Sequence, residues 1–125
     1  MKTLKREDTN QVVLPGRAVY KAVGKDGTAQ SRKMTLGFAR YAEDYGPMEP
    51  HQHAEEALFI IDVKDAWVRF GDGPNRLGEP VMLEPGMILH LPELEWHVFG
   101  YGKGGYVEVL FVYGQVDNIR PEDIE

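Results

Sequence analysis

Hydrophobic residues in this chain fall in short runs separated by turn residues. No segment of a dozen residues carries a clean helical period, whereas runs rich in Val, Ile, Phe, Tyr and Leu recur between Gly, Pro, Asp and Asn. The pattern therefore predicts an all-β protein. The predicted strands are Gln11–Leu14, Met34–Tyr41, Ala57–Val63, Ala66–Phe70, Pro80–Leu83, Met87–Leu91, Trp96–Tyr101 and Tyr106–Tyr113.

Turn chemistry divides these runs. Lys64-Asp65 lies between two apolar runs and predicts a tight hairpin, and Glu84-Pro85-Gly86 has the proline and glycine that a type II turn prefers. Several short strands with frequent turns favour a sandwich or a small barrel.

Composition indicates one ordinary globular domain. The 125 residues are 42% hydrophobic and 27% charged, which suits a single domain over residues 1–125. We expect a barrel core at about residues 34–114, flanked by a polar N-terminal segment and a polar tail from Gln115 to Glu125.

The net charge and the N-terminal sequence limit which binding partners and which cellular compartment are expected. A net charge of −6 argues against nucleic acid or an anionic membrane as the main partner. The stretch from Met1 to Asn10 lacks the apolar run of a signal peptide, and no stretch approaches the roughly 20 apolar residues of a membrane span. A cytoplasmic protein that acts on a small molecule is the expectation.

Three of the four histidines form one pattern with an acid. In an extended chain, His51 and His53 project to the same face, so both imidazoles can aim at one metal ion. Glu56 adds a carboxylate if the chain turns after His53, and His97 must come from a distant segment. Neutral imidazoles and an ionised carboxylate suit Fe, Mn, Ni or Zn, and one such divalent ion per chain is expected. The alternative is a polar interior that is hydrogen-bonded without metal.

With this pattern the sequence resembles the cupins, which are single-domain, RmlC-like proteins. Cupins fold as a jelly-roll β-barrel, also called a double-stranded β-helix. Their first motif is a glycine, a His-x-His pair, a glutamate and a closing glycine, and here the segment from Gly46 to Asp62 matches it. Their second motif is Gly-x5-Pro-x-Gly-x2-His-x3-Asn, and here the segment from Gly86 to Tyr101 matches it. The resemblance implies that His51, His53, Glu56 and His97 are metal ligands.

The first motif departs from the family pattern in its turn. Only two residues separate His53 from Glu56, fewer than the family usually has, so Glu55 is a rival for the carboxylate position. Glu56 is preferred because it shares strand parity with Leu58 and Ile60, which are expected to face inward.

Three further departures affect turns and the rim and leave the ligands in place. Val63 replaces the closing glycine of the first motif, Leu94 replaces the second glycine of the second motif, and Tyr101 replaces its terminal asparagine.

The resemblance implies a metalloenzyme of isomerase or lyase type, in which the metal acts as a Lewis acid on a keto acid, sugar or sugar acid. An iron-dependent dioxygenase is one alternative, and a non-catalytic binding or sensing module is another, because one fold supports many functions. Glu55 and Tyr101 are the candidate catalytic residues for moving a proton.

Strand parity and sequence context also predict where other side chains near the motifs lie. By strand parity only one of Arg40 and Tyr41 faces the pocket, and an inward arginine would bind a carboxylate or phosphate. His90 lies in an apolar strand and is expected in the core or at an interface. The run from Ala57 to Ile61 is apolar on both faces, which predicts a homodimer through its outer face.

Overall fold

The computed structural model describes residues 1–114, and these residues form eight β-strands and two short 3₁₀ turns. The strands are β1 (Asn10–Leu14), β2 (Arg17–Gly24), β3 (Ala29–Gln30), β4 (Thr35–Ala42), β5 (Glu56–Gly71), β6 (Val81–Met82), β7 (Ile88–Leu91) and β8 (Trp96–Tyr113), and the turns are Arg6–Asp8 and Glu43–Tyr45. The predicted all-β class is confirmed. The predicted polar tail lies outside the described residues. Within residues 1–114 no helix is long and apolar enough to span a membrane.

The strands form one sheet in the order β1-β2-β4-β8-β5-β6, with β3 beside β2 and β7 beside β5. All described pairings between these strands are antiparallel except β2 with β3. The pairings of β4 with β8 and of β5 with β8 join strands that are distant in sequence, as in a jelly roll, so segments far apart in the chain meet in the barrel.

The predicted hairpin at Lys64-Asp65 is wrong, because β5 runs through it without reversing. Asp65 has a φ of 46°, and at this point the partner in β8 jumps from Tyr106 to Tyr101. A bulge absorbs the left-handed residue and bends the strand, whereas a hairpin would reverse it. The predicted strands Ala57–Val63 and Ala66–Phe70 are therefore the two halves of β5. In the same way, the predicted strands Trp96–Tyr101 and Tyr106–Tyr113 are the two halves of β8.

Strand β2 was missed by the sequence prediction. Arg17 and Lys21 occupy inward positions on it, in a series with Val19 and Val23. Inward positions of a strand are normally apolar. Because two of them here are the charged residues Arg17 and Lys21, the sequence lacks the alternation of apolar and polar residues that identifies a strand.

The long ribbon of β5 and β8 folds so that its two halves face each other across the core. Tyr41 on β4 stacks on Phe99 in the first half of β8, with ring centroids 4.4 Å apart. The most deeply buried large side chains lie between these layers and are Leu58, Ile60, Val107 and Val109. This closed arrangement is the predicted jelly-roll barrel.

Candidate metal centre

The three histidines of the sequence pattern converge at one end of the barrel. His51 and His97 form an isolated antiparallel bridge, with amide-to-carbonyl distances of 3.0 and 2.9 Å in the two directions. The His97 ring lies 4.4 Å from the His51 ring and 4.8 Å from the His53 ring. One nitrogen of each imidazole lies within 4.8 Å of the others. The distant segment carrying His97 is thus held by backbone bonds beside the His-x-His pair.

Each imidazole is oriented by a hydrogen bond to a backbone carbonyl. The Nδ1 atoms of His51, His53 and His97 lie 2.9, 2.8 and 3.0 Å from the carbonyl oxygens of residues 49, 54 and 95. Because a carbonyl only accepts, each Nδ1 carries the proton and each Nε2 keeps its lone pair. This is the outer-shell arrangement by which proteins fix metal-binding histidines.

Two of the three imidazoles, those of His51 and His97, are neutral at pH 7. Burial lowers the pKa of His51 from 6.5 to about 4. Burial and the neighbouring imidazoles lower the pKa of His97 well below its usual range. Since metal ions bind neutral imidazole, His51 and His97 need no deprotonation to bind a metal at physiological pH.

Glu56 lies beside the histidines. Its side chain is 4% exposed, and its Oε1 is 3.5 Å from the Nε2 of His53. Tyr113 donates a hydrogen bond to the carboxylate, yet burial dominates and raises the pKa of Glu56 to about 8. Leu58 and Ile60 are also buried, so the strand parity predicted for Glu56 is correct.

Glu55 is placed differently. Its Oε2 is 2.7 Å from the Nε2 of His90, and both side chains are more than half exposed. Glu56, and not its neighbour, therefore points toward the histidines. His90 was expected in the core or at an interface, and the core position is wrong, because His90 projects outward from β7 where it pairs with Glu55. A position at an interface stays a prediction.

Tyr101 has a structural contact. Its hydroxyl donates a hydrogen bond of 3.1 Å to the carbonyl of Gly46, at the start of the loop that carries His51 and His53. The catalytic roles predicted for Glu55 and Tyr101 stay predictions.

Tyr41 faces the interior and Arg40 faces outward. Tyr41 is 7% exposed, whereas Arg40 bonds the carboxylate of Glu108 at 3.1 Å and lies over the ring of Tyr106. The anion clamp considered for Arg40 is therefore not in the pocket.

Two site residues were missed from sequence, Arg17 and Tyr113. The choice between Arg40 and Tyr41, which strand parity left open, falls to Tyr41. Arg17 and Tyr41 are paired across β2 and β4, and Tyr113 is paired with Glu56 across β8 and β5. Because Glu56 faces inward, its partner across the strand pair, Tyr113, faces inward as well. The sequence could have identified Tyr113 only if the register between β5 and β8 had been known.

Two cavities lie near the candidate metal centre. The wall of one includes Arg17, Tyr41, Glu56 and Tyr113, and none of the three histidines of the cluster lines it. The wall of the other includes His97. The second cavity therefore adjoins the histidine cluster directly.

The residues present fit a divalent transition metal. Three oriented Nε2 lone pairs and an adjacent buried carboxyl form the donor set that such ions prefer, in a setting that disfavours protonated histidine.

The structure resembles solved proteins across most of its length. The polyketide cyclase RemF from Streptomyces resistomycificus matches with a TM-score of 0.68 and 22% identity, covering 96% of this chain and 82% of the cyclase. Hydroxypropylphosphonic acid epoxidase from S. wedmorenis matches with a TM-score of 0.64 and 13% identity, covering 90% and 59%. Oxalate decarboxylase from B. subtilis matches with a TM-score of 0.66 and 19% identity, covering 91% and 29%.

No protein-family model matches the sequence, and a search of curated proteins finds no match. At the identities of the solved structures, the likeness establishes the fold. The chain has the cupin fold, as its two sequence motifs implied.

Proposed function

We propose that this protein is a metal-dependent cupin enzyme that acts on a small oxygenated metabolite, such as a keto acid, sugar or sugar acid, by isomerase or lyase chemistry. His51, His53 and His97 would hold one divalent metal through Nε2, with Glu56 as the fourth ligand. The observation that carries the proposal is the set of three Nδ1-to-carbonyl hydrogen bonds, which turn three Nε2 lone pairs toward one buried point.

Such a metal supplies Lewis acidity that stabilises negative charge developing on a substrate oxygen. The chain supplies the rest. Tyr113 orients the Glu56 carboxylate by donating a hydrogen bond, and Tyr41 and Phe99 close the interior beside it.

Elemental analysis tests the metal centre. Wild-type protein, stripped and then reconstituted separately with ferrous iron, manganese, nickel and zinc, should retain about one equivalent of at least one metal. His53→Ala should retain at least tenfold less, because loss of one of three imidazoles removes a main ligand. His90→Ala is the matched control, since the His90 side chain is 61% exposed, pairs with Glu55 and is not part of the three-histidine cluster. Equal metal content in wild type and His53→Ala would rule out the metalloenzyme.

Turnover separates an enzyme from a binding module. The metal-loaded protein is incubated with keto acids, sugars and sugar acids, and NMR follows the substrate signals. Consumption that depends on bound metal supports catalysis, whereas binding that returns every ligand unchanged supports the non-catalytic alternative. For an active substrate, Glu55→Gln and Tyr101→Phe test the predicted proton carriers: a lower kcat with unchanged metal content supports the role.

A further inference from the structure

The cavity that adjoins the histidine cluster is mostly apolar. It has a volume of about 240 Å³, and its wall includes Val68, Phe70, Val81, Leu89 and Leu91. The cavity whose wall includes Glu56 is far smaller, at about 50 Å³. Because a cavity needs about 10–15 Å³ to hold one water molecule, the larger one has room for a small organic molecule.

One end of this cavity reaches the predicted metal ligands. His97 lies in its wall and is buried. Leu91 also lies in the wall, is buried and is paired with Glu56 across β7 and β5. Residues that are directly opposite each other on two strands project from the same face of the sheet, so Leu91 and Glu56 both face inward. The buried end of the cavity therefore lies beside the candidate metal centre.

The other end of the cavity opens at the surface. Phe70 is paired with buried His97 across β5 and β8, yet Phe70 is 46% exposed. Val81 on β6 is paired with buried Val68, yet Val81 is 38% exposed. The mouth of the cavity is thus formed by large apolar side chains. A ligand in this mouth would remove their apolar surface from water, which is favourable.

The wall offers few partners to a polar ligand. Apart from His97, its polar residues are His90 and Glu95. His90 already bonds Glu55, with 2.7 Å between Nε2 and Oε2, and the backbone carbonyl of Glu95 accepts a hydrogen bond from His97. A polyol in this cavity would leave hydroxyl groups without hydrogen-bond partners, which is costly.

A charged head group has one suitable place in this arrangement. Among the residues that the structure describes, no lysine or arginine lines the cavity. The metal at the buried end is then the cation that an anionic head group meets. The apolar part of the same ligand would extend from the metal toward the mouth.

We propose that this cavity binds a small substrate with an apolar body, aromatic or branched aliphatic, whose oxygen-bearing head group reaches the metal. The proposal rests on the proposed function and narrows its substrate class, because it selects acids with an apolar side chain over sugars and sugar acids. The site is a concave cavity that ends beside buried ligands, so it suits a small molecule and not a folded partner.

Three 2-hydroxy acids with the same head group test this preference. Mandelate carries a phenyl ring, lactate a methyl group and gluconate a polyol chain. Calorimetry on zinc-loaded protein should show that mandelate binds at least about tenfold more tightly than either of the others, because only the ring buries a large apolar surface. Nuclear Overhauser contacts from the ring to the methyl groups of Val68, Val81 and Leu91 should place it in this cavity.

Two neighbouring variants assign the preference to the cavity wall. Val81→Asn should reduce the preference for mandelate at least about threefold, because it replaces apolar surface at the mouth by an amide. Met82→Asn is the matched control, since Met82 follows Val81 on β6, projects to the opposite face and does not line the cavity. If Val81→Asn does not fold, the location of the mandelate ring in wild type decides the question.

Equal affinities for the three acids would overturn the proposal, and so would an unchanged preference in folded Val81→Asn. Ring contacts to Val19, Leu36 and Ala39, in the wall of the smaller cavity, would also overturn it. Failure of mandelate to bind folded, zinc-loaded wild type counts against it in the same way.

A probe without a chelating acid separates this proposal from the metal proposal. On metal-free protein, benzyl alcohol should still contact Val68, Val81 and Leu91, whereas glycerol should not. If wild type retains no metal but benzyl alcohol occupies the cavity, the metal centre is wrong and the apolar preference stands. If wild type retains metal but benzyl alcohol does not occupy the cavity, the apolar preference is wrong and the metal centre stands.

Discussion

At the scale of single residues, Glu56 has the most altered chemistry. The side chain is 4% exposed between His53 and Tyr113, and its folded-state pKa is about 8 instead of 4.5. Its carboxyl is therefore protonated at pH 7 in the absence of metal. Sequence parity identified this residue correctly, but parity alone says nothing about how strongly burial opposes its charge.

This pKa makes the stability of the metal-free protein fall as pH rises. Between pH 4.5 and 8 the folded state keeps a proton that the unfolded state loses, so the stabilisation is complete below 4.5 and is lost through pH 8. The lowered pKa of His51 has the opposite effect and makes the stability rise with pH, but only between about pH 4 and 6.5. From pH 6.5 to 8 we expect the free energy of unfolding to fall by up to about 1.4 kcal/mol per pH unit.

Urea unfolding in the presence of a chelator measures this dependence. Glu56→Gln should remove the fall above pH 6.5, whereas Glu55→Gln should keep it, because Glu55 is exposed beside His90. A fall of equal size in Glu56→Gln would show that another group causes it.

At the scale of elements, the turn between β7 and β8 holds the second motif against the first. The amide of Leu94 donates a hydrogen bond of 2.8 Å to the carbonyl of His53, which fastens the His-x-His segment to this turn. Leu94 has a φ of 63°. The family pattern has glycine at this position, and the backbone keeps the conformation that glycine favours, although leucine pays a steric cost for it.

Leu94→Gly should therefore stabilise the protein. Relief of the left-handed conformation gains about 1–2 kcal/mol, and the greater flexibility of unfolded glycine offsets about 0.5–1 kcal/mol of it. A net gain between about 0 and 1.5 kcal/mol is expected by chemical denaturation. Leu94→Ala is the control, because it also removes the exposed side chain but keeps a Cβ at positive φ. An equal gain in both variants would mean that the side chain, and not the backbone, is responsible.

At the scale of the whole molecule, the outer face of the sheet carries an apolar surface. Phe59 and Ile88 are paired across β5 and β7 and are 43% and 74% exposed. Val112 lies nearby, paired with Ala57, and is 39% exposed. Adjacent exposed apolar side chains on one face are typical of an interface, so the predicted homodimer would form here.

Charge substitution tests this interface. Wild-type protein should show twice the chain mass by light scattering at micromolar concentration, and Phe59→Lys should show the mass of one chain, because a buried unpaired charge opposes association. Val13→Lys is the control, since Val13 is 60% exposed on the edge strand β1, which is separated from β5 and β7 by other strands of the sheet. A monomeric wild type would contradict the prediction.

The sequence by itself determined the strand-rich class, the inward parity of Glu56 and the set of histidines, because these depend on local alternation and on residue chemistry. Only the tertiary structure decided how the parts meet. The bend at Asp65 replaced a predicted hairpin, and register across strands placed Arg17, Tyr41 and Tyr113 around Glu56. These outcomes depend on contacts between residues far apart in the chain, where burial and pairing outweigh local preference.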